Sequence, residues 1–408
     1  MSMFFTERRL RAHGLILSMA LWSTYIWILA TPTLRDRVGN LKGTDFLHFY
    51  TLGSLAGRHR GGDLYNIDAQ AALASARVPE ARGIRYLPLY PPQVSILFAP
   101  LAWLSYARAL GVWWACSGLI YGACCYGVWR VCPKLQTSLG LFTLLALGFP
   151  AFFHLIAWGQ TSALALACFT GAFFALRKNH EFAAGLCFGC LIFKPQLGIA
   201  AAVIFLLLGA WKVVVGAVFA SALQLAAGIA YYGMEPFRSW LRILWQVPQL
   251  LVAFEPRPYQ THCLRTFWAM IVPWSTLALV LYAISAVLVL ICTVSIWKRE
   301  QSLGVRFSAL LLATALVSPH LTVYDLVVLA PAIVLLADWS AAQRNSASSL
   351  AVLLYLVYVL PLLGPLTRWI HIQFSVVAMA ALLVSIWRGS GSQRPADMSA
   401  VAHAEISA

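Results

Sequence analysis

The chain has 408 residues, of which 61% are hydrophobic and only 11% charged, and its mean hydropathy is +0.77. A water-soluble domain carries more charge on its surface, so the composition excludes an ordinary soluble enzyme. The formal net charge of +15 is read as basic residues anchoring helix ends against anionic lipid head groups, not as a nucleic-acid surface.

Apolar runs of roughly 20 residues recur along the chain, which predicts an all-α polytopic membrane protein. None alternates with the period of two that a membrane barrel requires. The first run, 12–31, follows Arg8, Arg9 and Arg11. It is long enough to span and is read as a retained helix, not a cleavable signal. Its positive flank places the N-terminus in the cytoplasm and residue 33 outside. Residues 33–90 then form a large first extracytoplasmic loop. Its basic residues, among them Arg35, Arg58, Arg77 and Arg85, run against the charge rule, which loses force for loops of roughly 60 residues.

Residues 93–107 are apolar but short and flanked by Pro91, Pro92 and Pro100; a half-helix dipping into the membrane and a span both fit. Spans are predicted at 109–130, 137–156 and 161–176. Two short arms, 182–193 and 197–210, are separated by Lys194-Pro195-Gln196; proline breaks the helix there and leaves a polar apex. Residues 213–232 span, and 233–272 form a second outer loop rich in Pro, Trp and charge. Further apolar segments lie at 273–297, 304–317, 321–337, 349–366 and 370–387. The whole makes one transmembrane domain, 1–388, with about 11–13 transmembrane or re-entrant helices. Residues 389–408 are expected to be a disordered cytoplasmic tail. If 93–107 dips without crossing, Lys134, Lys178, Lys212, Lys298 and Arg388 fall on the cytoplasmic side. Asp45, Tyr90, Gln160, Lys194 and His320 then collect on the outer side.

Each of those polar residues has two readings. Asp45 follows Thr44, an N-cap candidate, and opens a short aromatic helix. It is either a complement to the helix dipole or a general base, kept ionised by the helix N-terminus. Lys194 either snorkels to an interface or neutralises a departing phosphate. His320, in Ser318-Pro319-His320, is either a packed histidine or a donor to that phosphate. Asp325 orients His320 or nearby backbone, or is an ordinary first-turn acid. Gln160 hydrogen-bonds sugar hydroxyls or caps a helix. Tyr90, with Pro91-Pro92, and His48 and Tyr50 near Asp45 contact sugar or anchor at headgroup level. Cys187 and Cys190 have CxxC spacing, but in an apolar helix beside Gly and Phe they read as small packing residues. No phosphate loop, dinucleotide fingerprint or HExxH motif appears. Acidic residues are sparse in the helices, and no internal repeats of a transporter are evident. A lipid-linked sugar flippase or a non-catalytic assembly subunit is the alternative to an enzyme.

Several stretches together resemble glycosyltransferase family 87, over roughly residues 40–335. They are Asp45-Phe46 with Tyr50, Asp63-Leu64-Tyr65, Tyr90-Pro91-Pro92, Leu97-Phe98-Ala99-Pro100-Leu101, Gly159-Gln160, Lys194-Pro195 and Ser318-Pro319-His320. The resemblance implies a GT-C fold with an outer-face active site in the inner (plasma) membrane. It implies inverting transfer of a sugar, mannose in this family, from a polyprenyl-phosphate donor to a lipid or glycan hydroxyl. It carries Asp45 as the base and Lys194 and His320 as contacts to the donor phosphate. It implies no metal and no cofactor, and its partners are the lipid donor, the acceptor and membrane lipids. Nothing after residue 340 takes part in the resemblance.

Overall fold

The computed structural model describes residues 6–136, 138–247, 257–300, 302–342 and 347–390. The tail expected after Arg388 falls, from residue 391, outside the described residues, as does 248–256 of the second outer loop. Helix α1, Glu7–Leu29, is followed by a loop region that is itself helical, with α2 at Phe46–Ala56 and α3 at Ile67–Arg77. Next come α4, Gln93–Phe98, a 3-10 turn at Pro100–Trp103, and α5, Tyr106–Arg130. The six residues of α4 rise about 9 Å, far short of a bilayer core of about 30 Å, so 93–107 does not span as one helix.

The run expected as one span at 137–156 is two helices, α6 at Leu139–Leu147 and α7 at Pro150–Trp158, bent by 50°. Pro150 supplies no N–H and pushes Phe149 into an extended conformation, so the first helix cannot continue through it. Helices α8, Ser162–Arg177, α9, Glu181–Gly189, and α10, Pro195–Leu207, follow. The two arms expected around Lys194 are α9 and α10, joined by a 3-10 turn at Cys190–Phe193. Helix α11 is Trp211–Tyr232. It lies directly on α9, because Gly185 and Gly189 leave no room for a side chain: a Cβ on either would sit 2.2–2.3 Å from the α11 backbone.

The stretch expected as a second outer loop also contains helices, α12 at Met234–Gln246 and α13 at Leu264–Ile271. The remainder is α14, Ser275–Arg299; α15, Leu303–Val317; a 3-10 stretch, Val323–Leu329, running into α16, Ala330–Ala342; then α17, Ala347–Val359, α18, Gly364–Ile370, and α19, Phe374–Gly389. Among the described residues, six stretches are long and apolar enough to cross a membrane, and the bent α6–α7 pair makes a seventh. Five shorter apolar helices, including α8, α10 and α15, also occur among the described residues. The protein is thus an all-helical multi-pass membrane protein.

Two features of this packing set up the site. Helix α15 is almost wholly buried from Phe307 to Val317 and forms the spine of the main core with α8 and α16. Helix α2, which the sequence places in an outer loop, is buried at all eleven positions. It is clamped by α4, where Gly53 approaches so closely that a Cβ would lie 2.3 Å from the Phe98 carbonyl oxygen.

Candidate functional site

Asp45 occupies the N-cap position of α2, a place expected for Thr44, whose hydroxyl instead donates to the Leu41 carbonyl at 2.7 Å. The Asp45 side chain makes no capping bond to its own helix. Its backbone N–H donates to the Trp158 carbonyl at 3.0 Å, which fastens the start of α2 to the end of α7. That junction depends on Gly159. Its φ of 70° is left-handed, and a Cβ there would meet the Phe46 Cβ at 2.7 Å. The indole N–H of Trp113 holds the Gly159 carbonyl at 3.0 Å.

With Gly159 turning the chain, Gln160 points its amide between two charged groups. Its Nε2 donates to Asp45 Oδ2 at 2.6 Å. Its Oε1 accepts from Lys194 Nζ at 3.5 Å and from the Tyr90 hydroxyl at 3.4 Å. Lys194 sits at the N-cap position of α10, with Pro195 as the first helical residue. Its ammonium donates to Asp325 Oδ1 at 2.8 Å and to Ser162 Oγ at 3.0 Å, and lies 5.1 Å from the centre of the Tyr324 ring. Ser162 in turn donates to Asp325 Oδ1 at 2.5 Å. The other Asp325 oxygen accepts the backbone N–H and hydroxyl of Thr322, which closes a capping box on the 3-10 stretch. Lys194 and Asp325 are only 4% and 2% exposed. A charge pair this deep persists because each oxygen and proton has a partner.

Five elements thus converge through side chains: α2 by Asp45, the α7–α8 turn by Gln160, α8 by Ser162, α10 by Lys194 and the 322–325 turn by Asp325. The buried chain Asp45–Gln160–Lys194–Asp325 ends outward at Asp45, which keeps partial exposure. Burial pushes the Asp45 carboxyl up to about 6, and the Gln160 hydrogen bond and the Lys194 charge only partly oppose it. Desolvation outweighs the helix field, so the acid is held higher than a helix N-terminus alone would place it. Arg257 lies near enough to act on the Asp45 charge, and His320 near enough to act on that of Asp325.

The remaining residues singled out from the sequence are placed differently. His48 lies one turn along α2 from Asp45, against Tyr86 and Tyr90 at ring separations of 5.1 and 5.8 Å. Burial holds its ring well down, at about 4, against a smaller opposing effect of the neighbouring Gln70 side chain, so it stays neutral. Tyr50 belongs to another network: its hydroxyl donates to the Leu104 carbonyl at 2.8 Å and accepts from Arg77 at 2.7 Å. His320 follows the end of α15, where the Ser318 hydroxyl donates to its carbonyl at 2.8 Å. Ser162 and the pairing of Asp325 with Lys194 were missed by sequence reading. The usable signal was the Thr-x-x-Asp spacing at 322–325, together with the rule that a buried lysine needs a carboxylate. Among the described residues no group of three metal-ligating side chains occurs.

The site lies at one end of the helical bundle. Ser162 begins α8 and Arg177 ends it, so the 16-residue helix separates them by about 24 Å. At the Arg177 end, Asp338 accepts the Lys134 backbone N–H at 2.7 Å, and both Arg177 and Asp338 lie near Cys132.

No curated protein matches the chain, and no solved structure does. The model of glycosyltransferase family 87 matches residues 89–319. The matched segment contains Tyr90, Gln160, Ser162 and Lys194, begins after Asp45, and stops one residue before His320. It covers more than half of the 408 residues, and the chain therefore belongs to glycosyltransferase family 87.

Proposed function

We propose that the protein moves a sugar, mannose by the family resemblance, from a polyprenyl-phosphate donor to a hydroxyl of a lipid or glycan acceptor on the extracytoplasmic face of the inner membrane. The observation that carries this reading is that one amide, Gln160, hydrogen-bonds both Asp45 and Lys194. A proton acceptor and a cation from distant parts of the chain are thereby held one side chain apart. That is the spacing an inverting displacement needs between its base and its leaving group.

In this scheme Gln160 occupies one Asp45 oxygen, and the other takes the proton of the acceptor hydroxyl. The acceptor oxygen forms a bond to the anomeric carbon from the face opposite the phosphate. The bond from that carbon to the phosphate oxygen breaks, and its electron pair leaves on the polyprenyl phosphate. A carboxyl that titrates at about 6 is a stronger base than an ordinary aspartate, yet ionised at neutral pH. Lys194 exchanges its long 3.5 Å contact with Gln160 for the departing phosphate, with His320 as a second contact. Asp325 and Ser162 hold the ammonium charged and aimed, so its orientation is set before the donor arrives. A lipid-borne donor reaches such a site sideways from the bilayer, past the short helices α4, α9 and α10.

The test is direct. Purified protein is incubated with labelled polyprenyl-phosphate mannose and a membrane lipid extract, and the products are separated and identified. A new mannosylated product supports the reading. Donor recovered unchanged with every acceptor fraction overturns it.

A further inference from the structure

Residues 257–262, which precede α13 in the chain, form a strap gripped from two sides. On one side lies the 319–322 turn. Thr261 pairs antiparallel with Thr322 in an isolated β-bridge, and the His262 N–H donates to the Leu321 carbonyl at 2.7 Å. The Arg265 guanidinium, in the first turn of α13, donates to the Pro319 carbonyl. The strap is thereby stitched to Thr322, whose N–H and hydroxyl hold Asp325, and Asp325 holds the Lys194 ammonium. The strap begins at Arg257, which lies near enough to Asp45 to act on its charge. It thus adjoins both the acid and the cation of the site.

The second grip comes from the far end of the chain. Helix α18 stops at His371, whose φ of 56° is left-handed. The turn places Gln373 at the N-cap of α19, yet its side chain makes no capping bond to that helix. Its Nε2 donates instead to the Tyr259 carbonyl at 2.7 Å and the Thr261 carbonyl at 2.9 Å. Both amide hydrogens go to the strap, while Oε1 accepts the Thr367 hydroxyl at 3.0 Å. Beside it, Ser375 Oγ lies 2.7 Å from His262 Nδ1. A Cβ on Gly364 would sit 3.2 Å from the Tyr259 carbonyl oxygen, so α18 also presses on the strap. Thr261, His262, Thr367, Gln373 and Ser375 are all buried. Removing the amide would therefore leave two strap carbonyls unmet in a place that water does not readily fill. Gln373 lies beyond the matched family segment, which stops at residue 319.

We infer that Gln373 is a positioning residue for glycosyl transfer: through the strap and Thr322 it sets the Asp325 carboxylate, and so the aim of the Lys194 ammonium at the leaving phosphate. This rests on the glycosyl-transfer reading and adds to it a residue of the α18–α19 turn that touches no reacting atom. The contacts are continuous. Gln373 holds the Thr261 carbonyl, Thr261 meets Thr322 across the bridge, Thr322 holds Asp325, and Asp325 holds Lys194. A displacement of about 1 Å in such a group costs up to about 100-fold in rate.

The test compares the full chain with Gln373→Met, which keeps the side-chain length and loses the amide. Tyr358→Phe is the control for stability alone, since it removes a buried 2.8 Å hydrogen bond to the Leu145 carbonyl between α17 and α6. Transfer is followed from labelled polyprenyl-phosphate mannose to a membrane lipid extract, per folded molecule and well below the unfolding temperature. In Gln373→Met, kcat should fall about tenfold with the donor KM within about threefold. In Tyr358→Phe, the unfolding temperature should drop while kcat stays within about twofold. Backbone hydrogen exchange of peptides containing 258–262 and 321–325 should quicken about tenfold in Gln373→Met and not in Tyr358→Phe. Gln373→Asn, with its amide one methylene short, should show the same pattern more weakly, and it carries the test if the Met variant does not fold. An unchanged kcat, or unchanged exchange at 321–325, overturns the inference. Absence of turnover by the unaltered protein removes the transfer reading, and exchange at 321–325 then decides alone whether Gln373 sets the Asp325 turn.

Discussion

The Asp45 carboxyl titrates at about 6 because burial penalises its charge more than Gln160 and Lys194 reward it. A general base works only when deprotonated, and a raised pKa moves that requirement to higher pH. Transfer should therefore be flat above about pH 7 and fall about tenfold per unit below about pH 5. A rate that stays flat down to pH 4 would exclude Asp45 as the titrating base. Lys194 and Asp325 make a separate prediction. Asp325→Asn leaves an ammonium buried without its counter-charge and should cost about 3–5 kcal/mol of stability, read as a lower unfolding temperature in detergent. Lys194→Met combined with Asp325→Leu should recover most of that loss but no activity. If it recovered activity too, the pair would be structural only. Asp45, Gln160, Lys194 and Tyr90 were legible in the sequence because each interrupts an apolar pattern at a helix end. Asp325 and Ser162 were not, because a first-turn acid and a small hydroxyl both have ordinary local explanations. Their pairing exists only once α8, α10 and the 322–325 turn are brought together.

At the scale of elements, the site depends on how α2 is seated. It enters against Gly159 and leaves across Gly53, and neither contact tolerates a side chain. Gly53→Ala should cost about 1–3 kcal/mol by forcing α2 away from α4. Gly159→Ala adds left-handed backbone strain and moves the Asp45 anchor, so it should lose transfer more steeply than stability. Measuring unfolding temperature and turnover on both variants separates the two effects; equal turnover in both would deny Gly159 its positioning role. Proline breaks were readable in advance, at Lys194-Pro195 and at the ends of α4, because the missing N–H acts locally. The Pro150 bend was overlooked, since the apolar run continues through it. The burial of α2 was hidden for a different reason: an aromatic helix in a loop region looks the same whether it faces lipid, water or five neighbouring elements. The amphipathic α12 was detectable from its 3.6-residue period but was subsumed under a loop rich in Pro and Trp.

At the scale of the whole molecule, the alternation of spans and basic residues was enough to expect the end-to-end separation that α8 makes concrete. If the site faces outward, a cysteine at Gly39 should react with a membrane-impermeant maleimide added to intact cells. One at Asn179, just past α8, should react only after the cells are opened. The exposed native Cys116 and Cys190 are replaced first. Both positions reacting from outside would refute the assigned sides. What the pattern of spans could not reveal is which polar residues touch, because that depends on helix rotations that hydropathy does not encode. The central claim is that Asp45 removes the acceptor proton, and single-turnover transfer from labelled polyprenyl-phosphate mannose by the Asp45→Asn protein tests it most directly. The variant should bind the donor with unchanged affinity, while transfer falls by about 10²–10⁴-fold. Transfer within a few-fold of the unaltered protein would contradict the account.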